Sequence, residues 1–373
     1  MSDQSMPPFR ADHVGSLLRP PGLLEARRLH SAGVMSAEAL RQAEDEAIGE
    51  VVRMQEGLGL GAATDGELRR ASWHMDFIYR IGGIAASPTE RIDVHFKNEE
   101  GTIEFSPPAM KVTGRLSLDE TIFGEDFSFL ASQVKTAVPK LTIPSPSMVH
   151  YRGGQAPIDP AVYPDLEQFW ADLSGVYADE VARLAALGCR YLQLDDTSLA
   201  YLNDPDQREL VGRMGGDPER QHLRYIAQIN AALAERPAGM FVSAHACRGN
   251  FQSYWVAKGG YDHVAEALFN ELEVDAFFLE FDDERSGGFE PLRFVPPGKS
   301  VVLGLVTTKR PVLESPDELK RRIDEAAKFV PLEQLCLSPQ CGFSSTVEGN
   351  RLSLDDEIAK LRLVVETAAE VWG

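Results

Sequence analysis

The chain has 373 residues, a formal net charge of -20 and four cysteines, enough for one large core or two modest ones. The charge argues against nucleic acid and anionic membrane as partners, since both reward basic surfaces, but not against an anionic small substrate that needs only a few local donors. No run approaches the ~18 apolar residues of a membrane helix, and Met1-Ser-Asp-Gln-Ser-Met-Pro-Pro lacks the basic-then-apolar order of a signal peptide. A cytoplasmic protein is expected. Cys189, Cys247, Cys336 and Cys341 are too few and too scattered for a disulfide framework, which leaves core packing, metal ligation or catalysis.

In chain order, Phe9-Arg-Ala-Asp-His13-Val-Gly15-Ser16-Leu17 reads as a short strand ending in a Gly-Ser turn. A helix follows over about 36–57, with Ser36 as N-cap and apolar residues at Leu40, Ala43, Ala47, Val51 and Met54. Leu60 to Glu67 is a small-residue strand running into an acidic turn. Residues of about 91–125 break the rhythm: Ile92-Asp-Val94-His-Phe96 and Thr102-Ile103-Glu-Phe105 alternate around Asn98-Glu-Glu-Gly101, the pattern of an inserted β-hairpin. Leu141-Thr-Ile143-Pro144 resumes as a strand. Helices at about 165–187, 216–235 and 261–272 then lead into strands at Tyr191–Asp196, Met240–His245 and Ala276–Asp282. The strand at Ser300–Thr308 precedes a helix with Ser315 as N-cap, Pro316 at N1 and Glu318 at N3, which predicts a capping box. Leu335–Cys341 and a terminal helix from about Leu354 to Val371 finish the chain.

Eight strands, most followed by a helix, predict a TIM (β/α)8 barrel with a β-hairpin insertion near residues 91–125, a single domain over 1–373. A doubly wound open sheet is the alternative. No Gly-x-Gly-x-x-Gly follows the first strand, so a dinucleotide site has no support.

A barrel gathers its chemistry at the C-terminal ends of its strands. Those ends carry Ser16, Asp65 and Glu67, Ser145, Asp195 and Asp196, His245 and Cys247, Glu280, Thr308 and Lys309, and Cys341. In an extended chain His245 and Cys247 project to one side, a half-site for a soft tetrahedral metal. Taken alone, the pair is equally a buried histidine beside an inert cysteine, Glu280 a satisfied buried carboxylate and Cys341 a core thiol. Taken together, His245, Cys247, Glu280 and Cys341 are zinc-ligand types from three neighbouring strands. Cys189 and Cys336 read as packing.

These residues resemble a known family. Val14-Gly15-Ser16, Asp65-Gly-Glu67, Gln193-Leu-Asp195-Asp196, His245-Ala-Cys247, Leu279-Glu280 and Ser338-Pro-Gln-Cys341-Gly342 are similar to motifs of the catalytic C-terminal domain of cobalamin-independent methionine synthase. That superfamily also includes uroporphyrinogen decarboxylase, and the likeness spans nearly the whole chain. The resemblance implies zinc bound by His245, Cys247, Glu280 and Cys341. It also implies a homocysteine site at Val14, Ser16, Glu67 and Asp195, with Ser16 on the carboxylate and Glu67 and Asp195 on the amino group. Zinc would keep the substrate thiol ionised at a pH where a free thiol is mostly protonated, and Glu280 would be the ligand to give way as the substrate sulfur arrives.

Two positions depart from the family. Thr307-Thr308-Lys309-Arg310-Pro311 puts Lys309 where the family has its acid histidine, and a lysine of ordinary pKa is a poor acid. Pro144-Ser145-Pro146-Ser147-Met148 stands where the family has a folate-binding tryptophan. Both touch the methyl-donor side, so the expected partners are a small thiol, homocysteine, and a methyl donor left open. A thiol alkyltransferase like the epoxyalkane:coenzyme M enzymes, with Lys309 and Arg310 on the sulfonate, is one alternative. A metal-free decarboxylase and a structural zinc module are others.

Overall fold

The computed structural model describes residues 6–373; the opening stretch weighed as a leader lies partly outside the described residues. Among the described residues eleven strands form: β1 (Ala62–Ala63), β2 (Gly82–Arg91), β3 (Val94–Asn98), β4 (Gly101–Phe105), β5 (Pro108–Ser117), β6 (Val138–Pro144), β7 (Tyr191–Asp196), β8 (Phe241–Ala246), β9 (Ala276–Glu280), β10 (Ser300–Val306) and β11 (Leu335–Pro339). Seven of them make one parallel sheet in the order β1-β6-β7-β8-β9-β10-β11. Each residue of β7, β9 and β11 is buried, as strands covered on both faces must be.

The sheet curls until its ends nearly meet, and the N-terminal segment fills the gap. Asp12 N donates to Leu337 O (3.0 Å), Leu337 N to Arg10 O (2.9 Å) and Leu17 N to Gly66 O (3.0 Å), so residues 10–17 lie between β11 and β1. The expected first strand thus forms only a single parallel bridge, Ala11 with Leu337. Side chains complete the seam: Lys140 Nζ donates to Asp12 Oδ1 (3.1 Å) and His13 O (2.6 Å), and Tyr191 OH to Asp12 Oδ2 (2.8 Å). The result is a TIM-type barrel, and the sequential strand order rules out the doubly wound alternative.

The helices are α1 (Pro21–Ser31), α2 (Ala37–Leu58), α3 (Met75–Ile78), α4 (Gly124–Gln133), α5 (Leu166–Ala186), α6 (Ser198–Tyr201), α7 (Pro205–Arg213), α8 (Gln221–Leu233), α9 (Ala265–Glu271), α10 (Pro316–Ala326) and α11 (Leu354–Trp372). No helix among the described residues is long and apolar enough to cross a membrane. Ser36 caps α2 as expected, its hydroxyl accepting from Ala39 N at 3.1 Å. The capping box at Ser315 does not form. Ser315 is the N-cap residue but makes no side-chain bond, because Glu318 turns to Arg321 (2.6 and 2.9 Å). The box occurs at α11, between Ser353 and Asp356. The helix expected over 216–235 starts only at Gln221, since Asp217 accepts from Glu219 N (3.0 Å) and Arg220 N (3.2 Å) and holds a turn.

The insertion begins earlier than expected, at residue 82, and ends earlier, at residue 117. β2 and β5 pair as an outer ribbon, and β3 and β4 form the tip around Glu99-Glu100. Alternation turns Val94 and Phe96 inward, 7% and 6% exposed, which contributes about 2 kcal/mol each. The ribbon reaches across the barrel mouth: Lys97 bridges Trp255, and the Phe251 ring lies 5.2 Å from Phe96 and 4.8 Å from Phe105. Glu99 pairs with Arg310 and Glu100 with Arg351, both at 2.5 Å. It roofs a cavity at the barrel mouth, lining it with Ile92, Val94, Phe96 and Phe105.

Candidate metal centre

At the end of β8 the chain leaves the ladder with Cys247 N on Asp196 O (3.1 Å), and Gly249 turns back at φ 91°. That places His245 and Cys247 on the cavity floor, facing Cys341 from the loop after β11. Among the described residues His245, Cys247 and Cys341 form the one group of three or more metal-ligand types, their donor atoms all within 4.8 Å of one another. The two sulfurs are 3.2 Å apart, too far for a disulfide and close to the about 3.8 Å that two thiolates on one tetrahedral zinc would take. The cysteines are free and buried.

The trio fits a soft divalent metal on its own chemistry. His245 Nδ1 faces Asp195 Oδ1 at 3.1 Å, while its buried Nε2 has no partner. A ring nitrogen held by a carboxylate with the other turned inward is the arrangement of metal-bound histidines. Burial works to lower the His245 pKa, but the Asp195 hydrogen bond and the charge of Cys247 hold it above the ordinary value. The adjoining Cys341, and then burial, push the Cys247 thiol well up, so two thiolates here require a cation between them.

Beside the trio lies a polar notch. Asp65-Gly66-Glu67 turns sharply after β1, with Gly66 at φ 66° and Glu67 itself in the left-handed region at φ 57°, strain of the kind stored at functional sites. Glu67 Oε1 accepts from Thr142 Oγ1 at 2.7 Å and lies 3.6 Å from Arg70; its buried Oε2 has no partner. Burial raises the Glu67 pKa to about 7, Arg70 opposing and Asp195 adding to the rise. Val14, Ser16, Glu67 and Asp195 all line the same cavity as the trio. Gly342 is what lets Ser16 sit there, since a Cβ at that position would come within 1.8 Å of Ser16 Oγ.

Glu280 and Lys309 do not line that cavity, although Glu280 lies close enough for its charge to act on the Cys247 thiol. Glu280 is fully buried and held by Lys309 Nζ at 3.0 Å, Arg285 Nη2 at 2.5 Å and Arg248 N at 2.8 Å. Against burial, Lys309, Arg285 and Arg248 hold its carboxyl well below the usual range. Lys309 also pairs with Asp282 at 3.1 Å. Against its own burial, Asp282 and Glu280 raise its pKa, so Lys309 keeps its proton rather than offering it to a leaving group. At the tryptophan departure, Ser145 and Ser147 both donate to Asp196. Sequence reasoning missed the roof residues Phe96, Phe105 and Phe251, the Asp195–His245 contact, and the Arg248 and Arg285 partners of Glu280. Only the alternation of 92–105 carried a signal for any of them.

Fold and site define a class: a parallel α/β barrel with a His-Cys-Cys group of metal-ligand types at its mouth, next to a notch lined by carboxylates. The chain belongs to the cobalamin-independent synthase family, residues 153–370 matching the profile described as Cobalamin-independent synthase, Catalytic domain. It is 46% identical to the uncharacterised Bacillus subtilis (strain 168) protein YxjH over 371 residues, 99% of this chain and 96% of that one. It is 26% identical over 329 residues to the methionine synthase of Pyrococcus horikoshii, covering 88% of this chain and 84% of that enzyme. A solved structure from Listeria monocytogenes, provisionally described as a vitamin-B12 independent methionine synthase, superposes with a TM-score of 0.77 at 36% identity and 98% coverage of both chains.

Proposed function

We propose that the chain is a zinc-dependent methyltransferase that moves a methyl group onto the sulfur of homocysteine to give methionine. The observation that carries this reading is that His245, Cys247 and Cys341 share one cavity with the unpartnered, buried Glu67 Oε2. A thiol bearing an ammonium group would meet a metal at one end and a carboxylate at the other. When bound, zinc supplies a thiolate at neutral pH. The chain's own residues do the rest. Ser16 donates to the substrate carboxylate, Glu67 and Asp195 accept from its ammonium, and the roof excludes water from the transfer. The new S–CH3 bond forms as the donor's bond to that methyl breaks, the carrier keeping the electron pair.

The coenzyme M alternative loses its support, since Lys309 is taken by Glu280 and Asp282 and Arg310 sits outside, on Glu99. Arg152 is the one lysine or arginine among the cavity-lining residues, beside the apolar Ile92, Val94, Phe96, Phe105 and Met110 of the roof. A polyanionic tail on the donor therefore has little to bind, and mono- and triglutamate methyltetrahydrofolates are expected to serve, or fail, alike. The decisive experiment is the zinc content of the purified protein with its metal-edge spectrum before and after homocysteine. Stoichiometric zinc and one added sulfur neighbour are expected. A spectrum that ignores the thiol, or full zinc retention by Cys247→Ala, refutes the reading.

A further inference from the structure

We propose that Arg152 is the anion receptor of the methyl-donor half of the cavity. The carrier that delivers the methyl group is then a largely apolar, flat body bearing one carboxylate or phosphate, which this guanidinium grips. The inference rests on the thiol-methyltransferase reading and gives the chemical class of its second substrate.

In a chain of net charge -20, an arginine facing a cavity would ordinarily meet a carboxylate. Arg152 lines the cavity and is half-buried. Its buried Nε has no hydrogen-bond partner, and among the described residues it joins no ion pair. The three acids that line the same cavity, Glu67, Asp195 and Asp196, are turned to other groups. Glu67 Oε1 faces Thr142 and Arg70, and Asp195 Oδ1 accepts from Gln193 Nε2 (2.7 Å) and faces His245. Asp196 accepts from the hydroxyls of Ser145, Ser147 and Ser198 and from Leu199 N. The groups whose ionisation Arg152 does influence carry no negative charge. His74 is neutral, its pKa lowered to about 3 by burial and then by Arg152. Tyr201 keeps its proton, since burial raises its pKa against the pull of Arg152, and its buried hydroxyl has no partner either. A guanidinium left in this state costs stability, and its planar fork of donors matches a carboxylate or a phosphate.

Position assigns that anion to the donor rather than to homocysteine. Arg152 stands in the loop after β6, and the loop is tied to the roof: Val112 N donates to Pro157 O (2.8 Å) and Asp159 N to Val112 O (3.1 Å). Gly153 and Pro157 of this loop line the cavity together with Met110 of the roof. Ser16 belongs instead to the metal side, close against Gly342, with Phe343 N donating to its carbonyl (2.9 Å). The loop also follows directly on Pro144–Met148, where the chain departs from the family's folate-binding tryptophan. Flat apolar faces are still at hand: Trp73 stacks on His74 with ring centroids 4.4 Å apart, and both line the cavity with Phe96 and Phe105. One guanidinium matches one anionic group.

The test uses the full-length, zinc-loaded protein saturated with homocysteine, titrated calorimetrically with benzoate, phenyl phosphate and the uncharged benzamide. Saturation with homocysteine keeps the anionic probes off the metal and out of the thiol's own site. At least one anion is expected to bind about 10- to 100-fold more tightly than benzamide, and the tighter of the two tells carboxylate from phosphate. Arg152→Met should bring both anions down to the benzamide level, with zinc content and homocysteine affinity unchanged. Arg152→Lys should recover part of the preference. Anions that bind no better than benzamide, or a preference that survives Arg152→Met, overturn the proposal. So does a loss of homocysteine affinity in Arg152→Met, which would give the guanidinium to the homocysteine carboxylate. A metal that ignores homocysteine overturns the methyltransferase reading instead, and the same titrations on zinc-free protein then still decide whether Arg152 receives an anion. Should Arg152→Met fail to fold, Arg152→Gln takes its place.

Discussion

In the proposed homocysteine site Glu67 works for substrate and against the fold. Buried beside Asp195 with one oxygen unpartnered, it is a poor contributor to stability and a good acceptor for an ammonium. Its pKa is raised by burial from 4.5 to about 7, so between those values the native state holds a proton that the unfolded chain has released. Ionising Glu67 therefore costs stability that grows as pH rises through this window and stays lost above it. Glu67→Gln removes the cost. Its stability relative to wild type should rise from pH 4.5 to 7 and level off at no more than about 3 kcal/mol, read by denaturant unfolding across that range. The same change should raise KM for homocysteine about 10- to 100-fold, the worth of one charged hydrogen bond. A variant no more stable at pH 8 than at pH 5, relative to wild type, would contradict the burial argument. At this scale the sequence was informative about residue type and register: His245-x-Cys247 and Cys341 meet as their spacing suggested. It was silent on what each carboxylate faces. Asp195 turns to His245, its register partner on the neighbouring strand, and Glu280 to Lys309 and to Arg285 five residues on, choices that residue type alone does not make.

Helix starts show how local signals compete. Ser315-Pro316-Asp317-Glu318 has every letter of a capping box, yet Arg321, one turn on, takes the Glu318 carboxylate. Ser353-Leu354-Asp355-Asp356 has the shorter Asp at the reciprocal position, and both bonds form: Asp356 N to Ser353 Oγ at 3.2 Å and Ser353 N to Asp356 Oδ2 at 2.9 Å. Ser353→Ala should accordingly cost about 1 kcal/mol, while Ser315→Ala should stay below about 0.5 kcal/mol. Paired urea titrations check this, and equal losses would mean the geometry at Ser315 is wrong. The hairpin 94–105 was legible because alternation and a polar turn are local. Its outer ribbon was not, since Gly82–Arg91 has a Pro and little alternation and is held by pairing with β5.

For the whole molecule, buried ionisable groups set a pH profile that no single element shows. The barrel itself was readable from its run of apolar strands, but its closure was not, because residues 10–17 are held by Asp12, Lys140 and Tyr191 more than by a ladder. Burial raises the pKa of Glu67 and Glu180 to about 7 and of Glu357 to about 8. Burial also lowers His13 and His150 to about 4 and His74 to about 3. The signs oppose. Below 6.5 the unfolded histidines take up protons that the native ones refuse, so stability falls as pH drops toward 4. Above 4.5 the native carboxyls keep protons that the unfolded ones release, so stability falls as pH rises toward 8. Between about 4.5 and 6.5 these three carboxyls act against four histidines, burial lowering His222 to about 4 as well, and the two sets largely offset one another. A plateau in Tm is therefore expected near pH 5–6.5, followed by a decline to pH 8.5 worth on the order of 3 kcal/mol. Calorimetry at constant ionic strength on metal-free protein measures it, His245, held above its ordinary pKa, adding to the same decline. A Tm that does not decline from pH 6.5 to 8.5 would mean that Glu180 and Glu357 are ionised in the fold, and that Ile122 N and Leu18 N, their hydrogen-bond donors, outweigh desolvation.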